Sequence, residues 1–337
     1  MPAEAASGAS ADAVAMPAAV WDGALPEPIT RVGTQRDVLG ECPLWCERGQ
    51  CLWWVDIRTP LLRRWVPATQ VLTSWAMPDM IGAIALADDG RVLVALSSRL
   101  ALFDPHSGAN SDAERLTLPT TAETVIVPHA SAFETLIEPN FSNLDHRFND
   151  GRCDAQGRLW IGSMNNLSRG PEGRLFRFER GSGLVEVLAG ICIPNSLAFS
   201  PDGGTLYFAD SLRHRIEAFD FDAASGSIGP AWPFATSPAP AFPDGSCVDE
   251  HGYLWNAEFH GARLLRYAPD GRLDRVIALP VRRPTCCTFG GADLATLYIT
   301  TTCQKMRPAD LAAEPLAGAL LALRPGVRGL PEPRFKT

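Results

Sequence analysis

The sequence predicts an all-β protein built as a six-bladed β-propeller, and three observations predict it. A turn with glycine, then a short strand anchored on Leu, recurs as GQCLWWVDI (49–57), GRVLVALSS (90–98), GRLWIGSM (157–164), GGTLYFADS (203–211), GYLWNAEF (252–259) and ATLYITT (295–301), the last without an immediate glycine. A second strand follows each copy, as LLRRWVPAT, RLALFDPHSG, GRLFRFERGSG, HRIEAFDFDAASG, ARLLRYAPDG and GALLALRPG, closed by Pro, Asp or Gly turn chemistry. The anchoring leucines Leu52, Leu93, Leu159, Leu206, Leu254 and Leu297 stand 41, 66, 47, 48 and 43 residues apart. Strand pairs at that period match four-stranded blades around a central channel better than they match a sandwich.

The elements follow in order. Residues 1–28 are rich in Ala, Ser and Pro, and no basic residue precedes Arg31, so neither a secretory signal nor a transit peptide is read there. They are expected to form a disordered extension, with one propeller over residues 29–337. The long interval between Leu93 and Leu159 predicts a surface insertion around Thr120–Asn140. The GALLALRPG strand is expected to complete a blade with N-terminal residues, closing the ring without free edges.

Composition narrows the function classes. Of 337 residues, 30 are Lys or Arg and 38 are Asp or Glu, a net charge of −8 that argues against nucleic acid or an anionic membrane surface as partner. No apolar run reaches the roughly 18 residues a membrane span needs. Nine cysteines, an odd number, read as buried free thiols of a cytoplasmic protein rather than as a disulfide framework. Cys42, Cys46 and Cys51 lack the second pair that a zinc site needs.

The repeat also locates a site. Ten or eleven residues before the anchoring leucines stand Glu41, Asn149, Asn195 and Asp244, with Gly82–Ala83 and Cys286–Cys287 in the other two blades. Equivalent positions of a propeller form a ring about its axis, so two carboxylates and two carboxamides should converge at one channel mouth. Hard oxygen donors of this kind suit Ca²⁺, Mg²⁺ or Mn²⁺. Singly, Asn149 in FNDG and Asp244 in PDGS look like turn residues; at matched register they point to a shared metal site on the axis. The aspartates of the two other PDG turns, His146 and His260 are read as ordinary loop residues. Trp53, Trp160 and Trp255 recur at one strand position and are assigned to packing between blades.

The stretches GECPLW (40–45), RFNDGRCDAQGRLW (147–160), IPNSLAFSPDG (193–203), FPDGSCVDEHGYLW (242–255) and CCTFGGADLATLYIT (286–300) resemble the senescence marker protein/regucalcin/gluconolactonase family, in family order from about Gly40 to Leu323. The resemblance implies one divalent cation on the axis (Ca, Mn, Mg, Zn or Fe(II)) and hydrolysis of a small-molecule sugar lactone. It makes Glu41, Asn195 and Asp244 direct metal ligands and gives Asp244 the acid/base duty as well. It places Asn149 beside metal and substrate, and gives Arg147 a substrate contact. Where animal members hold substrate with an acidic residue, this chain has Asn165, Asn166 and Leu167, and EFHGARLLRY (258–267) leans toward bacterial-type arabinono- or xylonolactonases.

The chemistry fits the residues. A divalent ion polarises the lactone carbonyl or acidifies water, and Asp244 can pass the proton from water to the leaving ring oxygen. Arg147 and Asn149 offer donors to sugar hydroxyls. No G-x-S-x-G elbow is present, so a serine-hydrolase reading lacks its central signal. The alternative is a calcium-binding regulatory protein of regucalcin type with little catalysis. A protein-binding scaffold gives no reason for the ring. Oligomeric state stays open.

Overall fold

Six sheets form the molecule, and their inner strands touch one another in a closed cycle. A computed structural model of the chain describes residues 28–107, 113–118, 123–139, 141 and 145–337. Apart from Pro28, the extension expected over residues 1–28 lies outside the described residues.

The first blade orders β2 (Gly40–Cys46), β3 (Cys51–Asp56), β4 (Leu61–Val66) and β5 (Val71–Ala76) from the axis outward. The second orders β6 (Ile81–Leu86), β7 (Val92–Leu96), β8 (Leu100–Phe103) and β11 (Phe133–Ile137). Blades three and four are β12 (His146–Cys153) to β15 (Gly183–Ile191) and β16 (Pro194–Phe199) to β19 (Ser227–Thr236). Blade five runs from β20 (Phe242–Val248) to β23 (Leu273–Ala278). Blade six takes β24 (Pro284–Gly290), β25 (Thr296–Thr301) and β26 (Leu320–Leu323), with β1 (Thr30–Val32) as its outer strand, so the N-terminal strand closes the ring as expected. Strand β2 packs on β6, β6 on β12, β12 on β16, β16 on β20, β20 on β24, and β24 on β2.

The expected insertion holds only in part, since residues 124–127 belong to the addition and the rest needs correcting. Part of Thr120–Asn140 is β11, the second blade's own outer strand; residues 120–122 and 140 are outside the described residues. The true addition is a hairpin, β9 (Glu114–Thr117) with β10 (Thr124–Val127), and β10 pairs in parallel with β5 on the first blade. Strand β9 is exposed throughout.

Burial explains the repeated phrases. The Leu-anchored strands lie second in each blade, covered on both faces by neighbouring blades, and β3 and β7 are buried at every position. Such strands read as apolar runs rather than alternations. Trp160 and Trp255 are buried and donate their indole N–H groups to Asp154 and Asp249 at 3.0 and 2.9 Å, while Trp53 stacks on Trp75. The recurring tryptophans are therefore packing residues. All nine cysteines are free.

Every inner strand carries a register shift near its first residues: in β2 between Glu41 and Leu44, in β6 between Ile81 and Ala83, in β12 between Phe148 and Gly151, in β16 between Asn195 and Ala198, in β20 between Pro243 and Ser246, and in β24 between Pro284 and Cys286. A bulge adds one residue to a strand and re-aims the side chains beside it. Six bulges at one level of the ring turn side chains from the blade faces toward the axis. At the opposite mouth the C-terminal residues cross the blade ends, with Phe335 buried and bridged to Ala87 and Gly329 bridged to Asp249.

Candidate active site

The bulges gather the ring residues predicted from sequence. Glu41, Arg147, Asn149, Asn195 and Asp244 line one cavity of about 160 Å³, shared with Leu39, Met164, Ile193, Ser211, Phe242 and Phe259 among others. Cys42 and Ser196, the residues after Glu41 and Asn195, have φ of 47° and 62°. Left-handed backbone is costly for side-chain-bearing residues and clusters at functional sites.

A hydrogen-bond chain orients the amides. Ser211 donates its hydroxyl to the Pro243 carbonyl at 2.7 Å, so toward Asn195 it acts as acceptor and receives Nδ2 at 2.8 Å. This fixes which end of Asn195 is oxygen. Its Oδ1 accepts from Asn149 Nδ2 at 3.0 Å, and Asn149 Nδ2 also donates to the Pro194 carbonyl at 2.8 Å. Asn149 Oδ1 in turn accepts from Arg147 Nη1 at 2.7 Å. Beneath them, buried Asn256 donates to the Asp244 backbone carbonyl at 3.0 Å, holding the fifth blade's bulge.

The two carboxylates carry the electrostatic tension. Neither Glu41 nor Asp244 forms an ion pair with another described residue. Burial first, then the neighbouring Asp150, raises Glu41 to about 8. Burial, followed by Glu41 and Asp150, raises Asp244 well above the ordinary carboxylate range. Among the described residues no group of three or more His, Cys, Asp and Glu side chains is disposed to hold a metal. The donor set here is different in kind: two carboxylates with a carboxamide oxygen. Two carboxylates gathered in one cavity, outside any ion pair and with a carboxamide oxygen beside them, fit a hard divalent cation.

Sequence reasoning missed several groups in or beside the cavity. Asp150 follows Asn149 and accepts the Leu197 amide at 2.9 Å, a carboxylate next to a ring position inside a bulge. Arg58, Arg169 and His260 also line the cavity, so His260 is not an ordinary loop histidine. His146 is a buried strand residue packed on Phe141. The other two ring positions stay out of the cavity: Cys286 packs against Gly245, Cys287 lies 3.6 Å from Cys247, and Gly82 abuts the Phe148 backbone. A larger cavity of about 370 Å³ opens at the opposite mouth, but its Arg152 is already paired with Glu332 at 2.8 Å. The carboxylate mouth is therefore the chemically equipped one.

A pH dependence follows for the metal-free protein. A carboxyl group whose pKa is higher folded than unfolded binds more protons in the native state, so stability falls as pH rises. For Glu41 the window runs from its ordinary 4.5 to about 8. With EDTA present, the melting temperature should decline across that window, and Glu41→Gln should flatten the decline. A divalent cation should remove it, because the cation favours the ionised form; calorimetric scans from pH 4 to 9 test this.

Comparison with known proteins adds three findings. Residues 39–303 match the family described as SMP-30/Gluconolactonase/LRE-like region. The chain is 36% identical to a 6-deoxy-6-sulfogluconolactonase of Pseudomonas putida over 92% of its own length and 99% of that protein, and 34% identical to an L-arabinolactonase of Azospirillum brasilense over 91% and 95%. Among solved structures it superposes on regucalcin, a calcium-binding protein of Agrobacterium tumefaciens, with a TM-score of 0.79 at 28% identity, covering 91% of this chain and 97% of that one. No helix among the described residues is long and apolar enough to cross a membrane.

Proposed function

We propose, from the premise that this chain belongs to the SMP-30/gluconolactonase/LRE-like family, that it is a divalent-metal-dependent lactonase opening an aldonolactone to the free sugar acid. Arabinono-, xylono-, glucono- and galactonolactone are the candidate substrates. The observation that carries the reading is the pair of carboxylates, half-buried Glu41 and buried Asp244, in no ion pair with another described residue and lining one cavity with Asn195. The lactonases among its relatives support it.

In this reading Glu41, Asn195 and Asp244 hold one divalent cation, and their oxygen donors favour Ca²⁺, Mg²⁺ or Mn²⁺ over Zn²⁺ or Fe²⁺. Such a cation supplies charge to polarise the lactone carbonyl and to acidify water. Asp244 is the proton carrier. As the water oxygen bonds to the carbonyl carbon, its proton passes to Asp244; as the ring C–O bond breaks, that proton goes to the departing alkoxide. Asn149 has its oxygen engaged by Arg147 and its NH₂ by Pro194 and Asn195. That bonding suits a group on the substrate side better than a metal ligand. Arg147 then orients sugar oxygens through its remaining N–H donors, Asn149, whose N–H groups are both taken, accepts from a sugar hydroxyl through Oδ1, and Phe242 and Phe259 shape the apolar wall.

A panel of five- and six-membered aldonolactones, assayed with EDTA and with metal add-back, tests the reading. Opening above the no-enzyme blank should disappear with EDTA and return with a divalent cation. Metal binding without turnover of any lactone would favour the calcium-binding regulatory reading instead.

A further inference from the structure

The cavity that holds the carboxylates is also lined by three arginines. Arg58 comes from the turn after β3, Arg147 from the start of β12, and Arg169 from the connection between β13 (Leu159–Asn165) and β14 (Gly173–Glu179). Arg58 Nη2 and Arg147 Nε both donate to one oxygen, Asn166 Oδ1, at 2.9 and 3.1 Å. A neutral amide thus draws two guanidinium groups together with no carboxylate between them. Arg58 has little else: Nη1 meets only the Met80 sulfur at 3.8 Å, and Nε is buried without a hydrogen-bond partner.

Two further carboxylates near the arginines, Asp56 and Glu172, are otherwise occupied. Asp56, close to Arg58, accepts the backbone amides of Val38, Leu39, Arg58 and Thr59. Glu172 accepts from Asn165 and Ser168 and faces His146. Among the described residues none of the three arginines has an ion-pair partner. Burial, then Arg58, lowers Arg147 to about 9, with Arg169 adding to the shift and the charges of Glu41 and Asp244 opposing it. Burial and then Arg169 lower Arg58. Mutual repulsion is costly unless something relieves it; Glu41 and Asp244 offset Arg147 in part, and a divalent cation held by those carboxylates would take up that charge. Guanidinium groups with free N–H donors suit a multi-oxygen anion.

We infer that Arg58, Arg147 and Arg169 form an anion subsite, and that the substrate is a sugar lactone bearing a sulfonate, phosphate or carboxylate away from the reacting carbonyl. The inference deepens the lactonase reading and rests on it for the reaction, though not for anion binding. Neutral Asn166, whose oxygen bridges Arg58 and Arg147, is the positioning residue: an acid there would form ion pairs with the arginines and compete with the ligand.

The test compares one gluconolactone in four forms, unsubstituted and with a 6-phosphate, 6-sulfonate or 6-carboxylate, using the full chain with added divalent cation. At least one anionic form should exceed the neutral one about 10–100-fold in kcat/KM, as charge-assisted hydrogen bonds imply, and rising salt should shrink the margin. The ranking of the three identifies the anion. Arg58→Gln and exposed Arg169→Gln should each cut the anionic-to-neutral ratio about tenfold, with Arg58→Lys between. Equal turnover of all four forms, or equal loss on every form in the variants, overturns the subsite. If no lactone opens above the blank, the lactonase reading fails, and calorimetric titration with 6-phosphogluconate and gluconate decides the subsite alone. Tighter 6-phosphogluconate binding, weakened in Arg169→Gln, upholds it; equal binding rejects it.

Discussion

Asp244→Asn should lower lactone turnover by about 10²–10⁴-fold, the usual worth of general acid/base work, and saturating metal should not restore it. The substitution keeps an oxygen donor and removes a negative charge together with the proton acceptor. Glu41→Gln makes the same change at a residue assigned only to the metal, so raising the cation concentration should recover most of its loss. The comparison works because both side chains line one cavity and neither is in an ion pair with another described residue, so each substitution removes the same charge from the same site. Uncatalysed opening of lactones in water is appreciable, and rates must be taken above that background. Equal rescue of both variants would make Asp244 a ligand only and send the proton to another group. No loss in either would remove the lactonase assignment itself.

The ring was legible because a propeller repeats its geometry as well as its sequence. Glu41, Asn149, Asn195 and Asp244 stand at matched distances from their anchoring leucines, and the structure brings all four to one cavity. The bulge that turns them inward is silent in a single blade's sequence but recurs in all six inner strands. Arg58 and Arg169 were not legible, because they sit in connections that differ from blade to blade and obey no repeat. Asp150 was hidden by strand periodicity: neighbours on a regular strand point to opposite faces, and only the bulge lets it approach the same carboxylates as Asn149. The insertion was placed only in part for a related reason. A long interval shows that residues were added, while which strand belongs to the blade and which to the addition depends on pairing partners far away.

Gly82→Ala should cost stability and activity together. Gly82 occupies the second blade's ring position, where the sequence offers no ligand, and the structure gives it another task. A Cβ there would come within 2.2 Å of the Phe148 carbonyl oxygen and 2.6 Å of its carbonyl carbon, with the Asn149 amide nitrogen at 3.1 Å. These are backbone atoms of the neighbouring blade, so no side chain can rotate away. The two inner strands must separate, and overpacking of this kind costs roughly 1–3 kcal/mol, occasionally more. The strand displaced is β12, which carries Arg147 and Asn149, so their hydrogen bonds to Asn166 and Asn195 move with it. Displacement of about 1 Å at a positioning group can cost on the order of 10²-fold in rate. Denaturant unfolding should therefore show a lower midpoint, and activity measured well below the new melting temperature should still be depressed. Gly204→Ala is the control: its Cβ meets only Asp202 side-chain atoms at 3.5–3.7 Å in an exposed hairpin, and its effect should stay within about 0.5 kcal/mol. A Gly82→Ala protein of normal stability and full activity would show that the blades can part without disturbing the site, and would loosen the link between the ring's packing and its chemistry.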